Sequence, residues 1–248
     1  MKGREGERPR EPSFCPAKKN MGLAGTLALP EAYNLCLLLY PEPLHWPGAM
    51  LLPSRRLTEG EYLAIERSAD FKSEFFEGEM FAMGGGTPQH SLIATNLARE
   101  LGIRLRGGPC VVYNADLRVK VEATGLFTYP DLSVICGALR FAAGTEDTVV
   151  NPVLLVEVLS DSTEAYDRGR KFGHYRQIPT LQEYLLVSQK EPRFEQFLRQ
   201  PDDRWLLTEA AGLEKHLEFP SLGISLSLAE VFEKVTFVPA PIRPPAPR

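Results

Sequence analysis

A chain of 248 residues, 44% hydrophobic and 24% charged, is long enough to bury a sizeable core, as one large domain or two small ones. Its formal net charge of −4 excludes a global basic field, although a local groove or a bound divalent cation is compatible with an acidic total. No apolar run reaches membrane-spanning length. The four cysteines, Cys15, Cys36, Cys110 and Cys136, have neither close pairing nor zinc-site spacing, so they read as small buried hydrophobes of a chain in a reducing, cytoplasmic setting.

Residues 1–49 mix charges and prolines around one apolar patch, Leu35–Tyr40, and sustain neither a helical nor a strand period. They read as an appendage, either a flexible extension or a mis-called start ahead of Met50. Beyond it, Thr58 suits an N-cap, acids follow in the first turn, and apolar residues recur at helical spacing, which predicts a first helix. Phe71–Met83 reads as a strand that turns at Glu77-Gly78. Gly84-Gly-Gly-Thr-Pro-Gln-His90 is a glycine loop feeding a helix, with Thr87 at the N-cap and Pro88 at the first helical position. That helix runs to about Arg106 with His90, Ile93, Leu97 and Leu101 on one face, and Gly107-Gly-Pro109 stops it.

A strand is expected over Cys110–Val121, another around Asp131, a polar loop over Gly137–Thr148, and a further strand around Glu157. Ser160-Asp-Ser-Thr163 opens a second long helix, limited near Gln177 by Pro179. Leu181–Ser188, Phe194–Arg199 and Trp205–Thr208 read as strands and Ser227–Glu233 as a short helix. Residues 237–248 form a proline-rich tail that is expected to be disordered. Helices separated by runs of strands over residues 50–236 give an α/β or α+β domain with a mixed central sheet.

Two of the expected strands carry one carboxylate each within an apolar run. Asp131 lies in Tyr129-Pro-Asp-Leu-Ser-Val-Ile-Cys136, and Glu157 in Asn151-Pro-Val-Leu-Leu-Val-Glu-Val-Leu-Ser160. Alternation puts Glu157 on the face of Val153, Leu155 and Leu159, where a carboxylate must be paired, hydrogen-bonded, metal-bound or protonated. If the strands are neighbours, the two acids converge, and paired hard oxygens suit Mg²⁺ or Mn²⁺. Such a cation lowers the pKa of a bound water and stabilises charge on a phosphate oxygen. The plainer account makes Asp131 a turn residue at strand entry and Glu157 the partner of an arginine.

Arg168, Lys171 and Tyr175 fall at i, i+3 and i+7 of the following helix. That face either offers a cation and a hydroxyl to a phosphate or is an ordinary solvated face with Asp167–Lys171 and Glu164–Arg168 ion pairs. His90, on an otherwise apolar face, is either a core histidine or a third metal ligand. No Gly-x-Ser-x-Gly elbow supports a serine nucleophile, and Gly84-Gly-Gly86 lacks the lysine and spacing of a phosphate-binding P-loop.

Taken in order, Phe76-Glu-Gly-Glu79, His90, Pro130-Asp131, Glu157-Val-Leu-Ser160, Tyr166-Asp-Arg-Gly-Arg-Lys-Phe172 and Glu183-Tyr-Leu-Leu-Val187 resemble the Uma family of restriction-endonuclease-like proteins. This family belongs to the PD-(D/E)XK nuclease superfamily, and the resemblance covers about residues 55–236. It implies a restriction-endonuclease-like core, a mixed central sheet flanked by helices, with Mg²⁺ or Mn²⁺ and hydrolysis of phosphodiester bonds. Asp131 and Glu157 match the two acidic motif positions. The superfamily usually has lysine two residues after the second acid, and here Leu159 stands in that place. Lys171 looks like a migrated substitute, with Lys120 as a weaker candidate. Lys171 with Tyr175 is also similar to the helix motif of RecB-like nucleases, some of which use an upstream histidine as a metal ligand.

The site so implied has Asp131, Glu157 and Lys171 as catalytic residues. Asp131, Glu157, His90 and the carbonyl of Val158 are its metal ligands, and Glu79, Tyr175 and Lys120 its auxiliaries. The expected substrate is nucleic acid, DNA in preference to RNA, handled by a homodimer or higher homo-oligomer away from membranes. Two other expectations stand beside it. One is a nucleic-acid-binding protein of the same fold that has lost cleavage, and the other a non-enzymatic scaffold in which the two acids merely pair with arginines.

Overall fold

The computed structural model describes residues 56–237, so the expected appendage over 1–49 and almost all of the proline-rich tail lie outside the described residues. Helix α1 (Glu59–Ser68) begins on Thr58. The Glu61 N–H donates to the Thr58 hydroxyl at 3.3 Å and the Thr58 N–H to the Glu61 carboxylate at 2.8 Å, a reciprocal pairing that satisfies two of the otherwise unbonded N–H groups of a helix start. The run to Met83 is a hairpin of β1 (Ser73–Phe76) and β2 (Glu79–Ala82), closed where predicted by Glu77 and Gly78 at φ 50° and 85°. Helix α2 (Pro88–Arg104) starts on Thr87, whose hydroxyl accepts the His90 N–H at 3.1 Å.

Cys110–Val121 is two strands rather than one. β3 (Cys110–Asn114) and β4 (Arg118–Val121) lie in different sheets, because the Asn114 side chain accepts the Asp116 N–H at 3.0 Å and turns the chain locally. The elements that follow are β5 (Leu126–Thr128), β6 (Leu132–Cys136), β7 (Thr148–Val149) and β8 (Leu154–Val158). The second long helix is shorter than expected and irregular: α3 (Glu164–Tyr166), a π-helical turn over Asp167–Lys171, then α4 (Phe172–Tyr175). β9 (Glu183–Val187), β10 (Arg193–Arg199) and β11 (Trp205–Ala211) precede an unanticipated hairpin, β12 (His216–Phe219) and β13 (Ile224–Ser227), and a final turn of helix, α5 (Leu228–Val231).

The central sheet has the order β11-β10-β9-β8-β6-β3, with β8 and β9 parallel and the other neighbours antiparallel. A second sheet, β2-β1-β5-β4-β7, is also mixed, β4 and β7 being parallel. On one face of the central sheet Leu132, Val134, Leu154 and Val156 pack against Ile93, Leu97 and Leu101 of α2. On the other, Ile135, Leu155, Leu159 and Leu186 meet Val119, Val121 and Leu126 of the second sheet and Tyr175 of α4. Each fully buried aliphatic side chain contributes roughly 1.5–3 kcal/mol of transfer free energy. Burial on both faces explains why β8 and β9 read as near-continuous apolar runs. It also isolates Glu157, which lies on the Leu155 and Leu159 side as alternation predicts and is 4% exposed. The architecture is the expected one, a mixed sheet flanked by helices. Among the described residues no helix is long and apolar enough to cross a membrane.

The cysteine reading needs correction. Cys110 and Cys136 face each other across β3 and β6 and are joined by a disulfide, 26 residues apart in sequence. Strand register brings them together, and sequence spacing carries no sign of it. For this pair the argument for a reducing compartment loses its support; Cys15 and Cys36 lie outside the described residues. A loop of this length, once closed, stabilises a fold by about 2–4 kcal/mol. The expected result is that an alkylating reagent labels neither Cys110 nor Cys136 in the unfolded, unreduced chain, and that reduction lowers the unfolding free energy by about that amount. Labelling of both without reductant would show the pair to be open.

Candidate active site

β6 and β8 are antiparallel neighbours, with Leu132 opposite Val156. One step outward along both strands brings Asp131 beside Glu157, so the convergence that the sequence left conditional is realised. Asp131 Oδ2 accepts the Val158 N–H at 2.7 Å and lies 3.1 Å from His90 Nε2. Val158, whose carbonyl the sequence reading takes as a metal ligand, thus gives its N–H to Asp131 and lines the same cleft. His90 stands in the first turn of α2, and a Cβ on Gly86 would come within 2.9 Å of its Nδ1. The glycine at 86 makes room for the imidazole. The hydrogen bond to Asp131 holds His90 above the ordinary histidine value, although burial works against it.

Glu157 faces a second group. Its Oε1 lies 2.9 Å from Lys171 Nζ and accepts the Tyr175 hydroxyl at 2.7 Å. Lys171 Nζ also lies 3.2 Å from Glu74 Oε1 and 3.5 Å from Asp167 Oδ1. Burial opposes the ammonium, yet Glu157, Glu74 and Asp167 outweigh it and keep Lys171 well above the ordinary lysine value. Burial pushes Glu157 up to about 8, with Lys171 pulling the other way and Asp131 and Asp167 adding to the rise. Burial likewise raises Asp167, against the pull of Lys171. The Tyr175 hydroxyl, raised first by burial and then by Glu157, stays a proton donor. Both Asp167 and Lys171 belong to the π-helical turn, a distortion that is frequent at functional sites.

His90, Asp131, Glu157 and Lys171, with Glu74 and Asp167, line one cleft of about 830 Å³, and Tyr175 is buried behind it. Gln189 closes one side of it, donating to the Leu159 carbonyl at 2.6 Å and meeting the Thr87 hydroxyl. Two sequence candidates are not brought here. Lys120 pairs with Glu59 at 2.7 Å, and Glu79 is exposed on the edge strand β2, away from the cleft lining. Arg168 follows the ordinary ion-pair reading, bonding Glu164 at 3.0 Å and Glu195. Leu159, at the place of the usual superfamily lysine, packs in the apolar cluster with Leu155 and Tyr184. Glu74 and Asp167 are the residues that sequence reasoning missed. Glu74 sits where Ser73, Glu74 and Phe75 are all buried, so no alternation marks it, and Asp167 looked like a surface partner of Lys171.

The donors fit a hard divalent cation in kind. His90 Nε2 and Asp131 Oδ2, the two atoms sharing a hydrogen bond, are an imidazole and a carboxylate oxygen, and Glu157 adds a second carboxylate. Among the described residues no three His, Cys, Asp or Glu side chains are already gathered for a metal ion, since Asp131 is engaged by His90 while Glu157 is engaged by Lys171 and Tyr175.

Comparison with known proteins bears on the family and the fold. The Uma2 family model, described as "Putative restriction endonuclease", matches residues 60–229. The uncharacterized protein slr1290 of Synechocystis sp. (strain ATCC 27184 / PCC 6803 / Kazusa) is 38% identical over 193 residues, 78% of this chain and 98% of its own. The uncharacterized protein sll1609 of the same organism is 38% identical over 168 residues, 68% of this chain and 95% of its own. Among solved structures, a "putative nuclease belonging to DUF820" from Anabaena variabilis ATCC 29413 superposes with a TM-score of 0.59 at 16% identity, covering 71% of this chain and 98% of that one. At that identity the likeness is one of fold. With the family model spanning residues 60–229 and two relatives at 38% identity over nearly their full length, the chain belongs to the Uma2 family of restriction-endonuclease-like proteins.

Proposed function

We propose that this protein is a divalent-metal-dependent endonuclease that hydrolyses phosphodiester bonds in DNA. The observation that carries the reading is the placement of Asp131 and Glu157 on neighbouring strands, in one cleft with His90 and a buried lysine. Charge supports it. The lining sets Glu74, Asp131, Glu157, Asp161 and Asp167 against Lys171 and Lys190, and Lys190 is already paired with Asp161 at 2.7 Å. A polyanion is repelled from such a cleft unless cations enter with it. Mg²⁺ or Mn²⁺ held by Asp131, Glu157 and His90 would supply Lewis-acid activation of water and neutralise charge on a phosphate oxygen. The chain's own residues prepare that site. The Val158 N–H and His90 fix the Asp131 carboxylate, the Tyr175 hydroxyl fixes Glu157, and Lys171 offsets part of the carboxylate charge.

The test is nicking of supercoiled plasmid with Mg²⁺, with Mn²⁺ and with chelator. Either metal is expected to support nicking and the chelator to stop it. Salt-dependent DNA binding with no nicking under any metal would instead identify an inactive binder of the same fold, and neither binding nor nicking would leave the scaffold. Phe81, 49% exposed on β2 and part of the cleft lining, offers an aromatic face for a base. Base–aromatic stacking is worth about 1–3 kcal/mol. Phe81→Ala is therefore expected to raise KM by roughly 5- to 100-fold with kcat within about twofold, and Phe81→Trp to restore it. An unchanged KM in the alanine variant would remove Phe81 from the substrate path.

A further inference from the structure

We propose that Arg170, His174 and Gln177, with Thr124 of the β4–β5 turn, form a phosphate-binding site beside the cleft, separate from the His90–Asp131 pair. The first three stand at i, i+4 and i+7 along the π-helical turn and α4, a spacing that keeps side chains on one face. They line a groove of about 580 Å³ whose other wall holds Phe76, Glu77 and Thr124. A side chain at Gly173 would meet nothing within 4 Å, so the floor between Arg170 and Gln177 is open.

These groups keep donors that the fold leaves unused. Arg168, two residues earlier, is spent on Glu164 and Glu195. The Arg170 guanidinium has no ion pair or hydrogen bond among the described residues and stands 5.9 Å from the centre of the Phe76 ring. Such a planar group matches phosphate oxygens two at a time. The side chains of His174 and Gln177 also have no hydrogen-bond partner among those residues. Burial and Arg170 hold His174 below the ordinary histidine value, against the pull of Glu74 and Glu77, so near neutral pH it is an imidazole with one N–H to give. Thr124 Oγ1 is a buried oxygen with no hydrogen-bond partner, a state that is disfavoured until a polar group reaches it. The acid of this groove, Glu77, is exposed at the β1–β2 turn and makes no ion pair with Arg170, so it weakens the hold on an anion without occupying the donors. Glu74 of the cleft and Phe76 of the groove lie on one side of β1, about 7 Å apart along the strand, the axial span of roughly two nucleotides of one strand. On the nuclease reading, on which this part of the inference rests, the ligand is a phosphate of the nucleic acid backbone that flanks the cleft.

Two probes test the site on the full chain with chelator present: inorganic phosphate followed by calorimetry, and a DNA oligonucleotide bound over a range of salt. Arg170→Gln is expected to weaken phosphate binding by at least about tenfold, the scale of a lost hydrogen bond to a charged group. It is also expected to reduce the steepness of log K against log salt by about 0.7–0.9, the share of one phosphate contact. Glu77→Gln should strengthen both, by up to about fivefold. Arg170 is exposed, so the melting temperature should not change. Arg106→Gln is the control: Arg106 is also exposed and without an ion pair among the described residues, but it lies on another groove, along β3. Phosphate binding lost with Arg170 while the salt slope stays would keep the site and give it a free phosphate group as ligand. A reduced slope with no measurable phosphate binding would keep it for the polymer alone. Phosphate affinity and slope both equal to the parent's in Arg170→Gln would overturn the inference, as would an equal loss in Arg106→Gln or a parent that holds neither probe. A parent that nicks nothing with any metal, yet depends on Arg170 for either probe, counts against the nuclease reading and leaves the site standing.

Discussion

Glu157→Gln eliminates metal-dependent nicking, lowering kcat/KM by at least about 100-fold, while the protein stays folded. Loss of a residue that merely supports a metal ligand costs about 10- to 100-fold, so loss of a ligand falls at or beyond the upper end. The fold survives for a reason visible around Lys171. Its ammonium keeps Glu74 at 3.2 Å and Asp167 at 3.5 Å, and the new amide oxygen still accepts the Tyr175 hydroxyl. Burial already pushes the Glu157 carboxyl up to about 8, so a neutral amide replaces it at little electrostatic cost, and the change in stability is expected to stay within about 1 kcal/mol, the scale of a single exchanged hydrogen bond. Nicking time courses and melting curves on the same preparation check both halves. A variant that nicks within tenfold of the parent removes Glu157 from the proposed site.

Lys171→Ala has the opposite balance, with a large loss of stability. Three carboxylates, with side chains 6%, 11% and 3% exposed, would face one another with no cation between them. Removing one partner of a buried ion pair costs roughly 3–5 kcal/mol because the other charge stays buried and uncompensated. At about 2–4 °C per kcal/mol for a domain of this size, the melting temperature should fall by about 6–20 °C. The exposed pair Arg67–Asp147, with side chains 48% and 43% exposed, provides the contrast, since such pairs are worth about 0–1 kcal/mol. Asp167→Asn placed on Lys171→Ala should recover part of the loss, a coupling that a double-mutant cycle measures. A fall of less than 2 °C in Lys171→Ala would mean that the ammonium does not hold these carboxylates together.

The parts of the site legible in the sequence are those that local pattern controls. Asp131 and Glu157 stood out because β6 and β8 are buried on both faces, which leaves a carboxylate conspicuous in an apolar run. The start of α2 was legible because Thr87 and Pro88 have a local reason to be there. What stayed hidden was decided by tertiary packing. An i,i+4 pair such as Asp167–Lys171 looks the same in sequence whether the helix face meets water or a sheet, and here it is buried. Glu79 and Lys120 sit on strands whose alternation shows which side they point to but not what covers that side. The Cys110–Cys136 pairing depends on the register of β3 against β6, and the β12–β13 hairpin on two four-residue strands with partly exposed positions, too short to set up a convincing period.

The three glycines ahead of α2 look like a hinge when read as letters. A side chain at Gly84 or Gly85 would meet nothing within 4 Å, whereas one at Gly86 would collide with the His90 ring. None of the three has a positive φ. The last of them is a vacancy cut to the outline of an imidazole, and the histidine it admits stands against Asp131 at 3.1 Å. Bulk at position 86 would therefore push the His90 ring away from Asp131 by shape alone, with no ionisable side chain added or removed.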